Sequence, residues 1–190
     1  MKTKELPSVE YLNEILRVDK LTGELYWKER AVHHFSDGER WAAKDNCKRW
    51  NVQNAGKRAG NEAQGYRQVS ILKQRYPEHR IVYAMIYGEP ASGQLIDHVD
   101  GNGLNNAPSN LRVCDHELNA KNSRRYKNNS SGCSGVSWYA GKTFSGWQVR
   151  VRDNKKTKCI KYTADFFEAC CARKSAENRL GYHANHGRSL

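Results

Sequence analysis

Residues 145–154, SGWQVRVRDN, alternate strictly between apolar and polar side chains. Every second side chain from Trp147 to Val151 is apolar, and the polar positions between and after them include Arg150 and Arg152. A period of two is that of a β-strand with one buried face. The stretch therefore predicts a half-buried strand with a cationic outer face. Trp147 lies on the opposite, apolar face, which favours a core residue over a base-stacking one.

The neighbouring segments predict two more strands and a helix. A strand begins at residues 135–138, GVSW, and a turn at Asp153-Asn154 leads into a third strand in KCIKYTADF. Residues 166–180, FFEACCARKSAENRL, then suit a helix. We expect residues 135–190 to form a three-stranded sheet with one helix, after a linker at 127–134 that is rich in Ser, Gly and Asn.

The rest of the chain contains shorter elements. Helices are predicted at 8–18, with Ser8 as the N-cap, and at 79–88, where Gly88 and Pro90 terminate the helical pattern. A strand should follow the turn at Thr22-Gly23, and a strand pair that ends at Pro77 should lie within 59–79. Residues 31–55 have no clean period and are expected to be loop.

Charge is distributed unevenly along the chain. Residues 124–190 contain 14 Lys and Arg but only 4 Asp and Glu, whereas residues 1–123 are nearly neutral. A basic third attached to a neutral body favours a module that binds a polyanion. Interleaved aromatic residues favour nucleic acid over the alternative, a basic surface that only keeps the protein soluble.

Composition excludes several classes of protein. The hydrophobic share of 38% favours small modules over one large core. No run of eighteen apolar residues predicts a membrane span, and the N-terminus lacks the apolar region of a signal peptide, so a cytoplasmic location is expected, in the host cell if the chain is phage-encoded. None of the six cysteines forms a C-x-x-C pair, so they are expected to be reduced and no structural zinc is expected.

Residues 95–113, LIDHVDGNGLNNAPSNLRV, combine a carboxylate and an imidazole with a loop rich in Gly and Asn. A strand ending in Asp97-His98, a second short strand and a helix with Asp115 as N-cap would make a compact ββα unit. That unit can bring Asp97 close to Asn119 on the helix, and a carboxylate with an amide oxygen suits a hard cation. His98 could then take a proton from water at neutral pH.

Simpler interpretations exist for each of these residues. An isolated Asp-His pair is most often polar surface, and Gly-Asn loops are usually just turns. Asn119 could be a solvated helix residue. The complete spacing, together with the flanking apolar residues, is what favours metal-assisted phosphodiester hydrolysis.

Residues 79–123 resemble the HNH endonucleases of phages and of group I intron homing systems. The resemblance rests on three segments, HRIVYAMIYGEP, LIDHVDGNGLNNAPSNLRV and ELNAKN. It implies a ββα-metal fold in which His98 is the general base, Asn110 orients it, and Asp97 and Asn119 hold a divalent cation. Mg²⁺ is the expected ion and Mn²⁺ an alternative.

The third position of the family pattern is often His, and here it is Asn119, an H-N-N variant. His116 lies one turn earlier on the predicted helix. It could be a second donor near the metal, a phosphate contact or a solvated residue, and the last of these is favoured.

The flanking segments extend the resemblance. TGELYWKER, AGKRAGN and GYRQVSI are similar to the segment that commonly precedes this nuclease type. GVSWYAGKTFSGWQVRVRD and DFFEACCA resemble an AP2-type DNA-binding domain, which implies a sheet that enters the major groove. Ser137 and Tyr139 stand where that family often has arginine, so its target sequence does not transfer.

Together these features predict an α+β protein: a β-rich support and DNA-binding segment at 1–78, an HNH nuclease core at 79–126, the linker, and an AP2-like domain at 135–190. The expected function is a metal-dependent DNA endonuclease. The alternatives are a DNA-binding regulatory protein with an inactive nuclease fold and an RNA-binding module. The expected partner is double-stranded DNA, bound by a monomer without a small-molecule cofactor or a membrane. The expected DNA contacts are Arg124, Arg125, Arg150, Arg152 and Lys158.

Overall fold

The computed structural model describes residues 4–154 and 156–189, which group into two compact units. The first unit comprises the described residues of Met1–Ser92 together with Ile96–Val113. The second comprises Gly93–Leu95 and the described residues of Cys114–Leu190. The predicted four-segment division stays a prediction. No helix in the described ranges is long and apolar enough to cross a membrane.

In its described residues, the first unit contains three helices and most of the short strands. In chain order its elements are α1 (Val9–Ile15), β1 (Leu16–Val18), β2 (Leu25–Trp27), a 3₁₀ turn (Val32–His34), α2 (Ala43–Asn54), β3 (Asn61–Ala63), β4 (Tyr66–Ile71), β5 (Gln74–Pro77), α3 (Glu78–Tyr87), most of β6 (Leu95–His98), a 3₁₀ turn (Pro108–Asn110) and most of β7 (Leu111–Cys114).

Small antiparallel sheets and two helices enclose the core of this unit. β1 pairs with β2, and β4 lies between β3 and β5. The buried residues of α1 and α3 recur at helical spacing, so each helix has one apolar face. These faces pack on the strands. The fully buried side chains of the core include Leu12, Ile15, Leu16, Leu25, Val69, Ile71, Ile81 and Val82.

The predicted first helix was correct at its start and too long at its end. Ser8 caps α1 by accepting a hydrogen bond from the Tyr11 backbone N–H at 3.2 Å. The helix ends at Ile15, and Leu16–Val18 instead forms β1. Pairing with β2 places the apolar Leu16 in the core, which overrides its place in the helical pattern.

The prediction that residues 31–55 form a loop was wrong, because α2 lies within this range. Among its residues only Cys47 is buried, so the sequence lacks the apolar stripe that marks most helices. A cation–π arrangement anchors the helix instead. The Arg30 guanidinium lies over Trp27 at 4.6 Å and over Trp50 at 4.1 Å, and the two indoles meet edge to face.

The remaining elements of the first unit agree with the sequence. The strand after the Gly23 turn and the helix that ends before Gly88 are confirmed. The sheet that ends at Pro77 is present, but it has three strands where a pair was predicted. Gly88 has a φ of 86°, a left-handed conformation that favours glycine after a helix. β6 and β7 pair as predicted, and the Val99 N–H donates to the Asn110 carbonyl at 2.8 Å to close the hairpin between them.

The second unit contains the predicted sheet and helix. After α4 (His116–Lys121), the strands β8 (Val136–Ala140), β9 (Ser145–Asp153) and β10 (Lys156–Thr163) form an antiparallel sheet in the order β10-β9-β8. The helix α5 (Phe166–Arg179) packs on β9. Asp115 caps α4 as predicted, accepting from the Leu118 N–H at 2.7 Å. Packing of α4 on the hairpin as a ββα unit stays a prediction.

The alternating pattern of β9 has the predicted outcome. Val149 and Val151 are buried, and with Val136 and Ala169 they line the interface with α5. Trp147 packs against this core and is half-buried. Arg150 and Arg152 are exposed on the other face.

Candidate active site

The end of β6 places two of the predicted site residues on opposite faces of a hairpin. Asp97 and His98 are 9% and 5% exposed. Because neighbouring residues on a strand point in opposite directions, they contact different groups. The Asp97 carboxylate meets Arg112 on β7, and the His98 imidazole meets Asn106 in the loop between the strands.

A buried chain of hydrogen bonds holds the His98 ring. His98 Nε2 lies 3.0 Å from Asn106 Oδ1, and Asn106 Nδ2 donates to Glu78 Oε2 at 2.7 Å. Asn106 is 2% exposed, and Glu78, at the start of α3, is fully buried. A buried polar chain of this kind fixes the geometry of its members, because each unmade hydrogen bond would be costly.

The surroundings of Glu78 decide its charge. Burial raises the pKa of Glu78. The increase is opposed by Arg58, by the Leu25 N–H, by Arg67 and by Asn106. The Arg67 Nε lies 3.4 Å from Glu78 Oε2. The two guanidinium charges and the N–H donors of Leu25 and Asn106 support a carboxylate, which can only accept hydrogen bonds.

The charge of Glu78 determines the tautomer of His98. Asn106 must turn its NH₂ group toward the Glu78 carboxylate, which directs its carbonyl oxygen at His98. His98 must then donate from Nε2. The neutral ring accordingly carries its lone pair on Nδ1, so Nδ1 is the nitrogen suited to accept a proton.

A second histidine lies against the first. The rings of His79 and His98 meet edge to face, with centroids 4.9 Å apart. Burial, followed by the nearby His98 and Arg80, lowers the pKa of His79 from 6.5 to about 3. His79 is therefore neutral at physiological pH, and a proton accepted by His98 would not face a second cation.

Asn110 holds the hairpin loop through several hydrogen bonds. Its Nδ2 donates to Asp100 Oδ1 at 3.0 Å and to the Asn105 carbonyl at 2.8 Å, and its Oδ1 accepts from the Asp100 N–H at 3.0 Å. Burial alone would raise the pKa of Asp100, but hydrogen bonds from Asn102, Asn105 and Asn110 lower it overall. Asn110 thus shapes the loop that contains Asn106, and its role as the direct orienter of His98 stays a prediction.

The predicted metal ligand Asp97 has a cationic neighbour. Arg112 donates to Asp97 Oδ2 from Nη2 at 2.9 Å and from Nε at 3.2 Å. A carboxylate is the right kind of donor for a hard cation, since Mg²⁺ prefers oxygen ligands. A cation held here would share Asp97 with Arg112, whose positive charge opposes a second one.

Asn119 lies on α4 in the second unit and is exposed, and its role as the other ligand stays a prediction. His116 is exposed on the first turn of α4, as the solvated interpretation expects.

The predicted DNA-contacting residues differ in their exposure and in the contacts of their side chains. Arg124, Arg150 and Arg152 are exposed. Lys158 donates to Asp153 Oδ2 at 2.7 Å, and Arg125 donates to the Gly132 carbonyl at 2.6 Å. Arg150 and Arg152 share the outer face of β9 and are the better placed for a phosphate backbone.

Aromatic side chains accompany these arginines on the outer face. Tyr139 on β8 and Tyr162 on β10 pack with ring centroids 5.3 Å apart, and Gln148 donates to the Tyr162 hydroxyl at 2.6 Å. Both rings are more than two-fifths exposed. Exposed rings beside arginines are typical of nucleic-acid surfaces.

The predicted site did not include Glu78, His79, Asn106 or Arg112. Asn106 follows another asparagine in a loop, where turn chemistry is the ordinary explanation. Glu78 precedes a helical pattern, where an acidic residue usually complements the helix dipole. Asn106 and Glu78 contact each other across 28 positions of sequence, and Arg112 contacts Asp97 across 15.

Comparisons with known proteins find similarity in the part of the chain that contains these residues. The family model described as HNH endonuclease matches residues 76–121. Protein 3.8 of Escherichia phage T7 is 42% identical over 60 residues, which is 32% of this chain and 50% of that protein. The chain thus spans about half the length of this curated relative.

A solved structure, "DNA binding and cleavage by the HNH homing endonuclease I-HmuI", aligns with a TM-score of 0.41 and 22% identity. The alignment covers 63% of this chain and 57% of that one. The matched residues 76–121 include Glu78, Asp97, His98, Asn106 and Asn110.

Proposed function

We propose that this protein is a metal-dependent DNA endonuclease that hydrolyses phosphodiester bonds. The observation that carries the proposal is the buried chain from Glu78 through Asn106 to His98. A solvated histidine would need no such chain, whereas a general base needs a fixed tautomer and a fixed direction. The match of residues 76–121 to the HNH endonuclease family supports the same role.

His98 acts in this mechanism as the general base. Its Nδ1 accepts a proton from water, and the resulting hydroxide attacks the phosphorus of the scissile phosphate. Asn106 Oδ1 accepts a hydrogen bond from the His98 Nε2–H during the whole reaction. Neutral His79 adds no charge that would oppose the His98 imidazolium. The P–O3′ bond breaks, and the leaving 3′ oxygen takes a proton from a solvent water, which gives a 5′-phosphate and a 3′-hydroxyl. His98 then returns its proton to solvent and is neutral for the next cycle.

Asp97 and Asn119 would hold a divalent cation, Mg²⁺ by preference and Mn²⁺ as an alternative, because both residues offer oxygen donors. The bound cation would polarise the phosphate and stabilise charge on the leaving oxygen.

The outer face of β9 supplies DNA binding in this proposal. Arg150 and Arg152 contact phosphates, while Arg124, Arg125 and Lys158 add further phosphate contacts. The arrangement of three strands and one helix supports an AP2-like module. We propose one protein monomer for each double-stranded DNA site. The phage T7 relative supports a phage setting, and a homing role is the alternative.

A second candidate is a DNA-binding regulatory protein with an inactive nuclease fold. The contact between Arg112 and Asp97 favours it, because a guanidinium already neutralises the predicted metal ligand. This candidate requires DNA binding without cleavage.

One experiment separates the two candidates. Supercoiled plasmid or phage DNA is incubated with the protein in Mg²⁺, in Mn²⁺ and in EDTA, beside His98→Ala and the exposed control His116→Ala. We expect cleavage that requires both the metal and His98 and that survives in His116→Ala, with nicked or linear product giving the number of strands cut. A gel shift without cleavage of a target selected from a DNA library would support the regulatory protein and contradict the nuclease.

A further inference from the structure

Three ligand atoms converge in the first unit, away from the hairpin. Glu14 Oε1 on α1 lies 2.9 Å from His33 Nε2 and 3.1 Å from His34 Nε2. All three atoms lie within 4.8 Å of one another. Two imidazoles and one carboxylate, contributed by α1 and by the 3₁₀ turn Val32–His34, therefore face the same point.

His34 is the buried member of this cluster. Its side chain is 4% exposed, and its ring packs edge to face on Tyr11 with centroids 5.7 Å apart. Within the described residues, neither of its ring nitrogens has an aligned hydrogen-bond partner. A buried ring whose nitrogens lack hydrogen bonds lowers the stability of the fold. A bond from Nε2 to a metal would give one of the nitrogens a partner.

The distances suit a tetrahedral ion. Zinc binds His and carboxylate ligands at about 2.0–2.2 Å, which separates neighbouring ligand atoms by roughly 3.4 Å. The two contacts to Glu14 are shorter than this by only a few tenths of an ångström, so small side-chain movements would admit the ion. Imidazole ligands favour zinc, nickel or copper over Mg²⁺.

We propose that Glu14, His33 and His34 form a site for a zinc-class divalent metal ion, distinct from the site around His98. The ion joins α1 to the segment that leads into α2. Because the His33 side chain is 66% exposed, the fourth coordination position of the ion is open to water. The cysteine spacing did not predict this site, because its ligands are imidazoles and a carboxylate.

The test is a Co²⁺ and Zn²⁺ titration of the full chain in excess Mg²⁺, which occupies sites made only of oxygen. Absorption of the bound Co²⁺ reports its ligands, and competition with a chelator gives the Zn²⁺ affinity. Glu14→Gln and His33→Ala change exposed side chains and should remain folded by circular dichroism. His116→Ala is the matched control.

We expect one strongly bound equivalent in the wild type. Each ligand variant should bind at least about tenfold more weakly, because even partners outside the ligand set cost 10–100-fold when removed. Zn²⁺ should also raise the melting temperature of the wild type and of His116→Ala but not of the ligand variants. Equal affinity in the wild type and either ligand variant would overturn the proposal, as would a Co²⁺ spectrum dominated by thiolate bands.

Discussion

At the scale of single residues, the main feature is that the buried Glu78 carboxylate orients the His98 imidazole through the Asn106 amide. Glu78 fixes which way the Asn106 amide points, and the amide fixes which nitrogen of His98 carries the proton. If Glu78 became protonated, it could donate to Asn106, the amide could turn, and His98 would lose its preferred tautomer. Asn106 is therefore a positioning residue for the proposed reaction.

Asn106→Ala should lower the cleavage rate by about 10–100-fold, the usual effect of removing a partner that orients a functional histidine. The ¹⁵N shifts of the His98 ring should move from a single tautomer toward a mixture. Asn102→Ala, in the exposed part of the same loop, is the control and should keep both the rate and the shifts. Unchanged ring shifts in Asn106→Ala would contradict the positioning role.

His79 should make the stability of the protein depend on pH. Its pKa is about 3 in the folded protein and near 6.5 in the unfolded chain, so only the unfolded chain gains this proton between those values. Stability should fall as pH drops through that window, by up to about 1.4 kcal/mol per pH unit from this group.

Urea unfolding of the wild type and of His79→Phe at pH 7 and pH 5 measures this effect. The phenylalanine keeps a ring beside His98 but cannot titrate, so the variant should lose less stability on acidification. Parallel losses in the two proteins would mean that His79 titrates normally in the folded state.

At the scale of elements, a buried ionic network joins α5 to β9 and to the C-terminal segment. Arg173 donates to Glu177 Oε1 at 2.7 Å and to the Arg150 carbonyl, and its Nη2 lies 3.2 Å from His186 Nε2. Arg173 and Glu177 are each 4% exposed. The network therefore fixes the helix against the sheet whose outer face contains Arg150.

Arg173→Met should destabilise the protein by about 3 kcal/mol, because it leaves the buried Glu177 carboxylate with fewer partners. Arg173→Met/Glu177→Leu should lose less than the single variant, since both charges are then removed. Denaturant unfolding provides the measurement, and Arg179→Met, exposed on the same helix, should change stability by less than about 0.5 kcal/mol. A double variant less stable than Arg173→Met would contradict this account.

At the scale of the whole molecule, the two units differ in charge and in chemistry. The first contains the histidine site in a nearly neutral stretch of chain, and the second contains most of the excess positive charge. In the proposed nuclease, the first unit would supply hydrolysis and the second most of the affinity for DNA, because that affinity comes mainly from phosphate contacts.

Arg150→Ala/Arg152→Ala should weaken binding to double-stranded DNA and should lower the slope of log affinity against log salt concentration by about two, since each arginine neutralises one phosphate. Fluorescence anisotropy at several salt concentrations measures both quantities. Lys44→Ala/Lys48→Ala, which removes two exposed charges from α2, is the charge-matched control. An equal effect of the two double variants would mean that net charge, rather than the β9 face, sets affinity.

The sequence by itself determined the features that depend on near neighbours. The two faces of β9 follow from a period of two, and the caps Ser8 and Asp115 act on N–H groups three residues away. The positions of Asp97 and His98 at the end of a strand also follow from the local pattern. Periodicity and capping act within a few residues, so they can be read without knowing the fold.

Only the tertiary structure decided which side chains those residues meet. The partner of His98 is Asn106 because Glu78, 28 residues earlier, approaches the loop, and because Gly23 lets its own turn lie against the Asn106 carbonyl, where a Cβ would come within 1.8 Å. Arg112 meets Asp97 through the register of the hairpin, and α2 is held by Arg30 between two tryptophans. These contacts join distant parts of the chain, so they depend on how the elements pack rather than on any local pattern.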